Sequence, residues 1–311
     1  MFAAVFPGQG SQSLGMMSEL HSASSIVRDT FKEANSELGY DLWNLIVNGP
    51  EAQLNDTLYT QPAMLVAGVA AWRFFKSKTT INPSIMAGHS LGEYTALVCS
   101  GVLDFQETIN LVKYRAQLMQ QATPPNSGAM AAILGLEDQG VIDACKAVEE
   151  DEIVEAVNFN APGQIVIAGK KNAVERAITF CKEKGARRAM LLNVSIPSHC
   201  KLMQPAAIKL KEKLEDVSYN KAIIPVLNNV DVQFYSDKNS VIQGLMRQLY
   251  NPVRWADIVR DFVRREIVIS VEYGPGGVLS GLAKRIDKTN QTIKFNTVDS
   301  FDLFSELVKQ K

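Results

Sequence analysis

Gly88-His-Ser-Leu-Gly92 matches G-x-S-x-G, the pattern that presents a nucleophilic serine. Residues 84–87 read as a short buried strand and residues 91–99 as a helix, which is the strand–turn–helix context the motif requires. The reason is steric. A nucleophile on so sharp a turn takes a strained backbone, and side chains two residues to either side would collide with it, so glycine stands at both places. The turn also sets Ser90 at a helix N-terminus, where free N–H groups favour a developing anion. The plain alternative is a glycine-bordered turn with a capping serine.

A serine hydroxyl needs a base, and the chain has three histidines, His21, His89 and His199. His89 adjoins Ser90, but neighbouring side chains on a tight turn point apart, so it reads as structural. His21 reads as a surface residue. His199, at a strand end after Pro197-Ser198, is the best placed. The alternative for it is a buried histidine satisfied by the backbone. A hydrolase triad would place an acid before the histidine, yet residues 184–211 contain no Asp or Glu. The expectation is a Ser90–His199 dyad with the imidazole oriented by a main-chain carbonyl or an amide.

Arg115 is the third residue with chemical promise. The helix expected over residues 105–121 has an apolar face of Leu111, Val112, Leu118 and Met119, and Arg115 falls on it. A guanidinium buried there must have a partner. Spacing leaves open whether that is an internal Asp or Glu or a carboxylate on the substrate, gripped by the planar fork.

These residues need elements to position them. Strands are expected over residues 2–6, 84–87, 223–227, 267–272 and 292–298, with helices between them, including 24–38 and 62–75. That alternation implies a mainly parallel sheet covered on both faces. The middle differs: strand 129–134, helix 137–150, strands 153–158 and 165–168, helix 172–184 and strand 189–194 follow the β-α-β-β-α-β order of a ferredoxin-like unit. The fold class expected is α/β, with residues 1–124 and 197–311 forming a core and residues 125–196 an inserted small domain. The cleft between them is the favoured ligand site.

The whole chain sets bounds. Its 311 residues, 46% hydrophobic and 21% charged with a formal net charge of -1, give an ordinary globular balance with no overall field toward nucleic acid or membrane. No run reaches the ~18 apolar residues of a membrane span, and the first residues lack a basic n-region. The four cysteines have no C-x-x-C spacing and read as reduced cytosolic thiols. No two histidines stand at i,i+3 or i,i+4, so no metal is expected, nor any cofactor. The localisation expected is cytoplasmic, and a monomer is the default.

Taken together the motifs resemble those of the malonyl-CoA:acyl carrier protein transacylases. The resemblance spans nearly the whole chain. It rests on Phe6-Pro-Gly-Gln-Gly-Ser-Gln12, Thr60-Gln-Pro-Ala63, Gly88-His-Ser-Leu-Gly-Glu-Tyr94, Asn158-Phe-Asn-Ala-Pro-Gly-Gln164, Ile196-Pro-Ser-His199, Gln248-Leu-Tyr-Asn-Pro-Val-Arg-Trp255 and Gly274-Pro-Gly-Gly277. It implies an α/β-hydrolase-like core with a ferredoxin-like insertion. It implies an acylated Ser90, His199 as base and then acid, and Arg115 on the malonyl carboxylate. The main-chain N–H groups of Gln9 and Leu91 would form the oxyanion hole. Gln248 would position the histidine and the acyl group, and Gln61 and Met119 would border the substrate. The partners implied are malonyl-CoA and holo acyl carrier protein, in fatty acid synthesis. Modular relatives that choose malonyl often carry a bulky aromatic before the histidine. Here Ser198 is small, as in stand-alone malonyl enzymes, so malonyl is retained.

Carrier proteins of this kind are acidic, which makes Lys284, Arg285 and Lys288 docking candidates; the plain alternative is a solvated helix end. Two rival functions remain. A serine esterase would need no Arg115. A non-catalytic carrier-binding scaffold would need none of the three.

Overall fold

The computed structural model describes residues 1–149, 152–194 and 196–309. Five strands form a wholly parallel sheet: β1 (Ala3–Phe6), β2 (Ile85–Gly88), β7 (Val226–Leu227), β8 (Ile269–Tyr273) and β9 (Gln291–Phe295), in the order β7-β2-β1-β8-β9. Strands β1, β2 and β8 are buried along their whole length, as strands covered by helices on both faces must be. The strand expected over 223–227 is shorter, since only Val226 and Leu227 pair, at the sheet edge.

The other four strands, β3 (Gly128–Leu134), β4 (Val154–Ala161), β5 (Gln164–Lys170) and β6 (Arg188–Leu191), form a separate antiparallel sheet in the order β4-β5-β3-β6. Helices Asp138–Val148 and Lys171–Glu183 pack against it over a core that includes Ile133, Val141, Ile165, Ile167 and Val174. Strand β5 lies between β3 and β4, which are joined through a helix. This is the split β-α-β arrangement expected of a ferredoxin-like unit. The helix expected over 137–150 ends at Val148, and residue 150 lies outside the described residues. Strand β6 stops at Leu191, before the expected 194.

Two helices carry site residues. Helix Thr57–Lys78 starts before the expected residue 62. The Asp56 carboxylate caps it by accepting from the Leu58 N–H at 2.9 Å, so Pro62 falls inside it. Helix Phe105–Gln121 matches its expected bounds, capped by Asp104, which accepts from the Glu107 N–H at 3.0 Å. Such caps satisfy donors that the first turn leaves free. Leu111, Val112, Leu118 and Met119 are all buried, as the periodicity requires. Among the described residues no helix is long and apolar enough to cross a membrane. His21, expected at the surface, is half-buried there and stacks on the Trp43 ring at 3.6 Å between centroids.

Candidate active site

Ser90 sits between β2 and helix Gly92–Cys99 with φ at 53°, in the left-handed region. A Cβ on Gly88 would come within 1.9 Å of the Gly92 carbonyl, and one on Gly92 within 2.0 Å of the Phe6 oxygen. Both glycines are therefore demanded by close backbone approach. The Asn229 side chain braces the turn: its Oδ1 accepts from the Ser90 N–H at 2.8 Å and its Nδ2 donates to the Gly88 carbonyl at 2.7 Å.

His199 is 3% exposed and also takes a positive φ, 67°. Its main-chain N–H donates to the Leu249 carbonyl at 2.9 Å, and its Nδ1 lies 2.6 Å from the Gln248 carbonyl oxygen. Both acceptors stand at the C-terminal end of helix Lys238–Gln248, where carbonyls lack intrahelical partners. A carbonyl only accepts, so Nδ1 carries the proton. Nε2 is then free to accept from the Ser90 hydroxyl, which lies 2.8 Å away. Burial, and secondarily the charge of Arg115, push the imidazole down to about 3, so at neutral pH it is unprotonated and able to act as a base.

Arg115 is 1% exposed. Its Nη1 donates to Gln61 Oε1 at 2.7 Å and its Nη2 to Gln248 Oε1 at 3.0 Å, and Nη2 stands 3.5 Å from Ser90 Oγ. Among the described residues its Nε has no partner, and its guanidinium carbon lies 5.4 Å from the Tyr94 ring centroid. Among the described residues no carboxylate pairs with it directly. Its immediate partners are two neutral amides. Gln61 is itself buried, with Nε2 3.5 Å from Met119 Sδ.

The register of the parallel sheet decides where Gln9 lies. Phe6 pairs with Gly88, and the His89 N–H donates to the Phe6 carbonyl at 3.0 Å. The chain leaving β1 therefore runs beside the chain leaving β2. Among the described residues the main-chain N–H groups of Gln9 and Leu91 have no acceptor. Both residues line a cavity of about 450 Å³ together with Ser90, His199, Arg115 and Met119. Met130, Asn158, Asn160 and Val166 of the antiparallel sheet close its other side, so the cleft lies between the two sheets. A larger cavity of about 720 Å³ adjoins it, sharing Gln9, Thr57 and Ile196, but neither Ser90 nor His199 lines it.

His89 turns away from the dyad, with Nε2 2.8 Å from Asn160 Oδ1, and so ties the nucleophile turn to β4. Lys284, Arg285 and Lys288 are exposed, the first two in the last turn of helix Val278–Ile286, whose Val278, Leu279 and Leu282 line the cavity. Arg285 donates to Gln164, another lining residue. Among the described residues no group of three or more His, Cys, Asp or Glu could hold a metal, and the four cysteines are unpaired.

Three residues of the site escaped the sequence reading: Asn229, Glu93 and Tyr235. Glu93 Oε2 accepts from Gln248 Nε2, and its Oε1 from the Tyr235 hydroxyl and the Asn229 N–H. Burial pushes its carboxyl up to about 7 against these hydrogen bonds. The available signal was an acid inside Gly88-His-Ser-Leu-Gly-Glu-Tyr94, in the first turn of the helix that follows the nucleophile.

An acyl transferase domain family matches residues 3–295. The chain is 53% identical over 308 residues to the malonyl CoA-acyl carrier protein transacylase of Haemophilus influenzae, covering 99% of each. It superposes on an acyl carrier protein S-malonyltransferase from Vibrio cholerae with a TM-score of 0.95 and 51% identity, over 97% of this chain and 99% of that one. A malonyl-transacylase solved in complex with a type II PKS acyl-carrier protein matches with a TM-score of 0.97 and 51% identity, over 98% and 99%. The chain belongs to the acyl transferase family, among its malonyl-CoA:acyl carrier protein transacylases.

Proposed function

We propose that this chain moves a malonyl group from malonyl-CoA to the phosphopantetheine thiol of holo acyl carrier protein through a malonyl ester of Ser90. One observation carries the reading. A buried guanidinium, paired with two amides and among the described residues with no carboxylate, stands 3.5 Å from the serine hydroxyl that a histidine contacts at 2.8 Å. An acyl group bearing its own carboxylate satisfies that cation; an uncharged ester does not.

The malonyl carboxylate pairs with Arg115, with Gln61, Gln248 and Met119 around it. His199 Nε2 takes the Ser90 proton as Oγ attacks the thioester carbonyl. The oxyanion is held by the N–H groups of Gln9 and Leu91, where loss of one such donor typically costs ~10²–10³ in rate. The imidazolium directs Nδ1–H at the carbonyl end of helix Lys238–Gln248, a position that favours positive charge. The C–S bond breaks, the CoA sulfur takes the proton from Nε2, and the ester remains. The pantetheine thiol then gives its proton to His199 and attacks the ester, and Ser90 leaves with that proton. This is ping-pong chemistry.

The same proposal places the acidic carrier protein against Lys284, Arg285 and Lys288 at the cleft rim. It makes the enzyme a cytoplasmic monomer with residues 125–196 as a small domain, supplying malonyl units for fatty acid synthesis. The unpaired cysteines suit a reducing compartment.

The test is intact-protein mass spectrometry after mixing with malonyl-CoA alone. The expected result is one malonyl adduct, absent in Ser90→Ala. CoA release without an adduct would favour an esterase, and neither adduct nor release would favour a binding scaffold.

A further inference from the structure

The buried arginine reaches an acid, but at one remove. Arg115 Nη2 donates to Gln248 Oε1 at 3.0 Å, and Gln248 Nε2 donates to Glu93 Oε2 and, at 2.9 Å, to the Ser90 carbonyl. Glu93 and Gln248 are both fully buried. The amide thus bridges a buried cation and a buried acid, and it can do so in only one orientation. Turned over, its NH₂ would face the guanidinium, which has no acceptor, and its oxygen would face the Glu93 carboxylate and the Ser90 carbonyl, which have no donor.

We propose that Glu93 is a positioning residue for acyl selection: its carboxylate locks the Gln248 amide so that Oε1 faces Arg115, and thereby aims the guanidinium beside Ser90. The proposal rests on the malonyl reading of the site. Tyr235 and Asn229 hold the carboxylate from the far side, through the phenol and the main-chain N–H. Three donors therefore converge on the two oxygens, the pattern of an acceptor-only carboxylate. Glu93 lies on helix Gly92–Cys99 behind the nucleophile turn and does not line the cavity, so it acts through Gln248 rather than on the substrate.

Glu93→Gln is nearly isosteric and sets up a conflict. If its oxygen faces Gln248, its NH₂ opposes the Asn229 N–H. If its oxygen faces Tyr235 and Asn229, its NH₂ opposes Gln248, which must turn over and present a donor to Arg115. Either arrangement loosens the grip on a carboxylate while leaving the Ser90–His199 contact in place.

The experiment measures single-turnover acylation of Ser90 by malonyl-CoA and by acetyl-CoA in wild type, Glu93→Gln, Gln248→Met and the double variant. In Glu93→Gln the malonyl-to-acetyl ratio of kcat/KM should fall about tenfold, the scale of one hydrogen bond to a charged group. In the Gln248→Met background the same change should move the ratio less than about twofold, because contacts in one network are not additive. Parallel loss of both acyl groups, or an undiminished effect without Gln248, would overturn the proposal. Should Glu93→Gln not fold, Tyr235→Phe replaces it, with a shift in the same direction of about threefold, smaller because the phenol reaches the Gln248 amide only through Glu93; an unmoved ratio would overturn it equally. A wild type without malonyl preference would overturn the acyl reading itself, and this inference with it.

Discussion

The guanidinium of Arg115 and the hydroxyl of Ser90 stand 3.5 Å apart, though one projects from the middle of a helix and the other from the turn after β2. A carboxylate paired with Arg115 is therefore held close to the carbonyl that Ser90 attacks. Replacing Arg115 by Ala should lower kcat/KM for malonyl-CoA by about 10²–10³, the scale of leaving one partner of a buried pair uncompensated, and leave acetyl-CoA nearly as it was. Competition between the two thioesters, read by intact mass, checks this. An equal loss for both would assign Arg115 to structure alone.

His199 ties stability to pH with a definite sign. Its ordinary value of 6.5 falls to about 3 in the fold. Between those values the unfolded chain binds a proton that the folded chain does not. The stabilisation is therefore complete above pH 6.5 and is lost as pH falls toward 3. On acidification from pH 7 to 5, wild type should lose about 2 kcal/mol more than His199→Gln. Glu93 runs the other way, raised from 4.5 to about 7, so its contribution falls as pH rises across that window. It is common to both proteins and cancels in the difference. Urea unfolding at the two pH values measures it, and equal losses would mean the fold does not hold His199 neutral.

The left-handed backbone at Ser90 makes a second stability prediction. Alanine there keeps the strain of a φ of 53°, and glycine does not. Ser90→Gly should be more stable than Ser90→Ala by about 1 kcal/mol, with both inactive. Thermal melts of the two variants decide it, and a less stable glycine variant would argue against stored strain at the nucleophile.

Reversing the charges of Lys284 and Arg285 should raise KM for the carrier protein several-fold and spare KM for malonyl-CoA, because steering of an acidic partner depends on the rim charge. Steady-state kinetics with each substrate varied in turn measures both constants. An unchanged carrier constant would move docking elsewhere.

Ser90 was legible because everything that defines it is local: a strand, a turn with two glycines, and a helix, all within consecutive residues. Arg115 was legible as a misplaced charge because helical periodicity alone puts it on the buried face with Leu111 and Met119. His199 followed from the small number of histidines and its place at a strand end after Pro197-Ser198. The β-α-β-β-α-β order was legible from alternating strand and helix patterns, while edge strands β6 and β7 came out shorter than their apolar runs.

Other matters were open until the chain was folded. Which carbonyl orients His199 depended on Gln248, 49 positions away, and whether Arg115 meets an internal acid depended on Gln61 and Gln248, 54 and 133 positions away. Glu93 read as an ordinary motif residue until Tyr235 and Gln248 closed on it. No periodicity encodes such contacts. They exist because the order β7-β2-β1-β8-β9 sets the ends of distant elements side by side, and because buried donors and acceptors brought together there must satisfy one another.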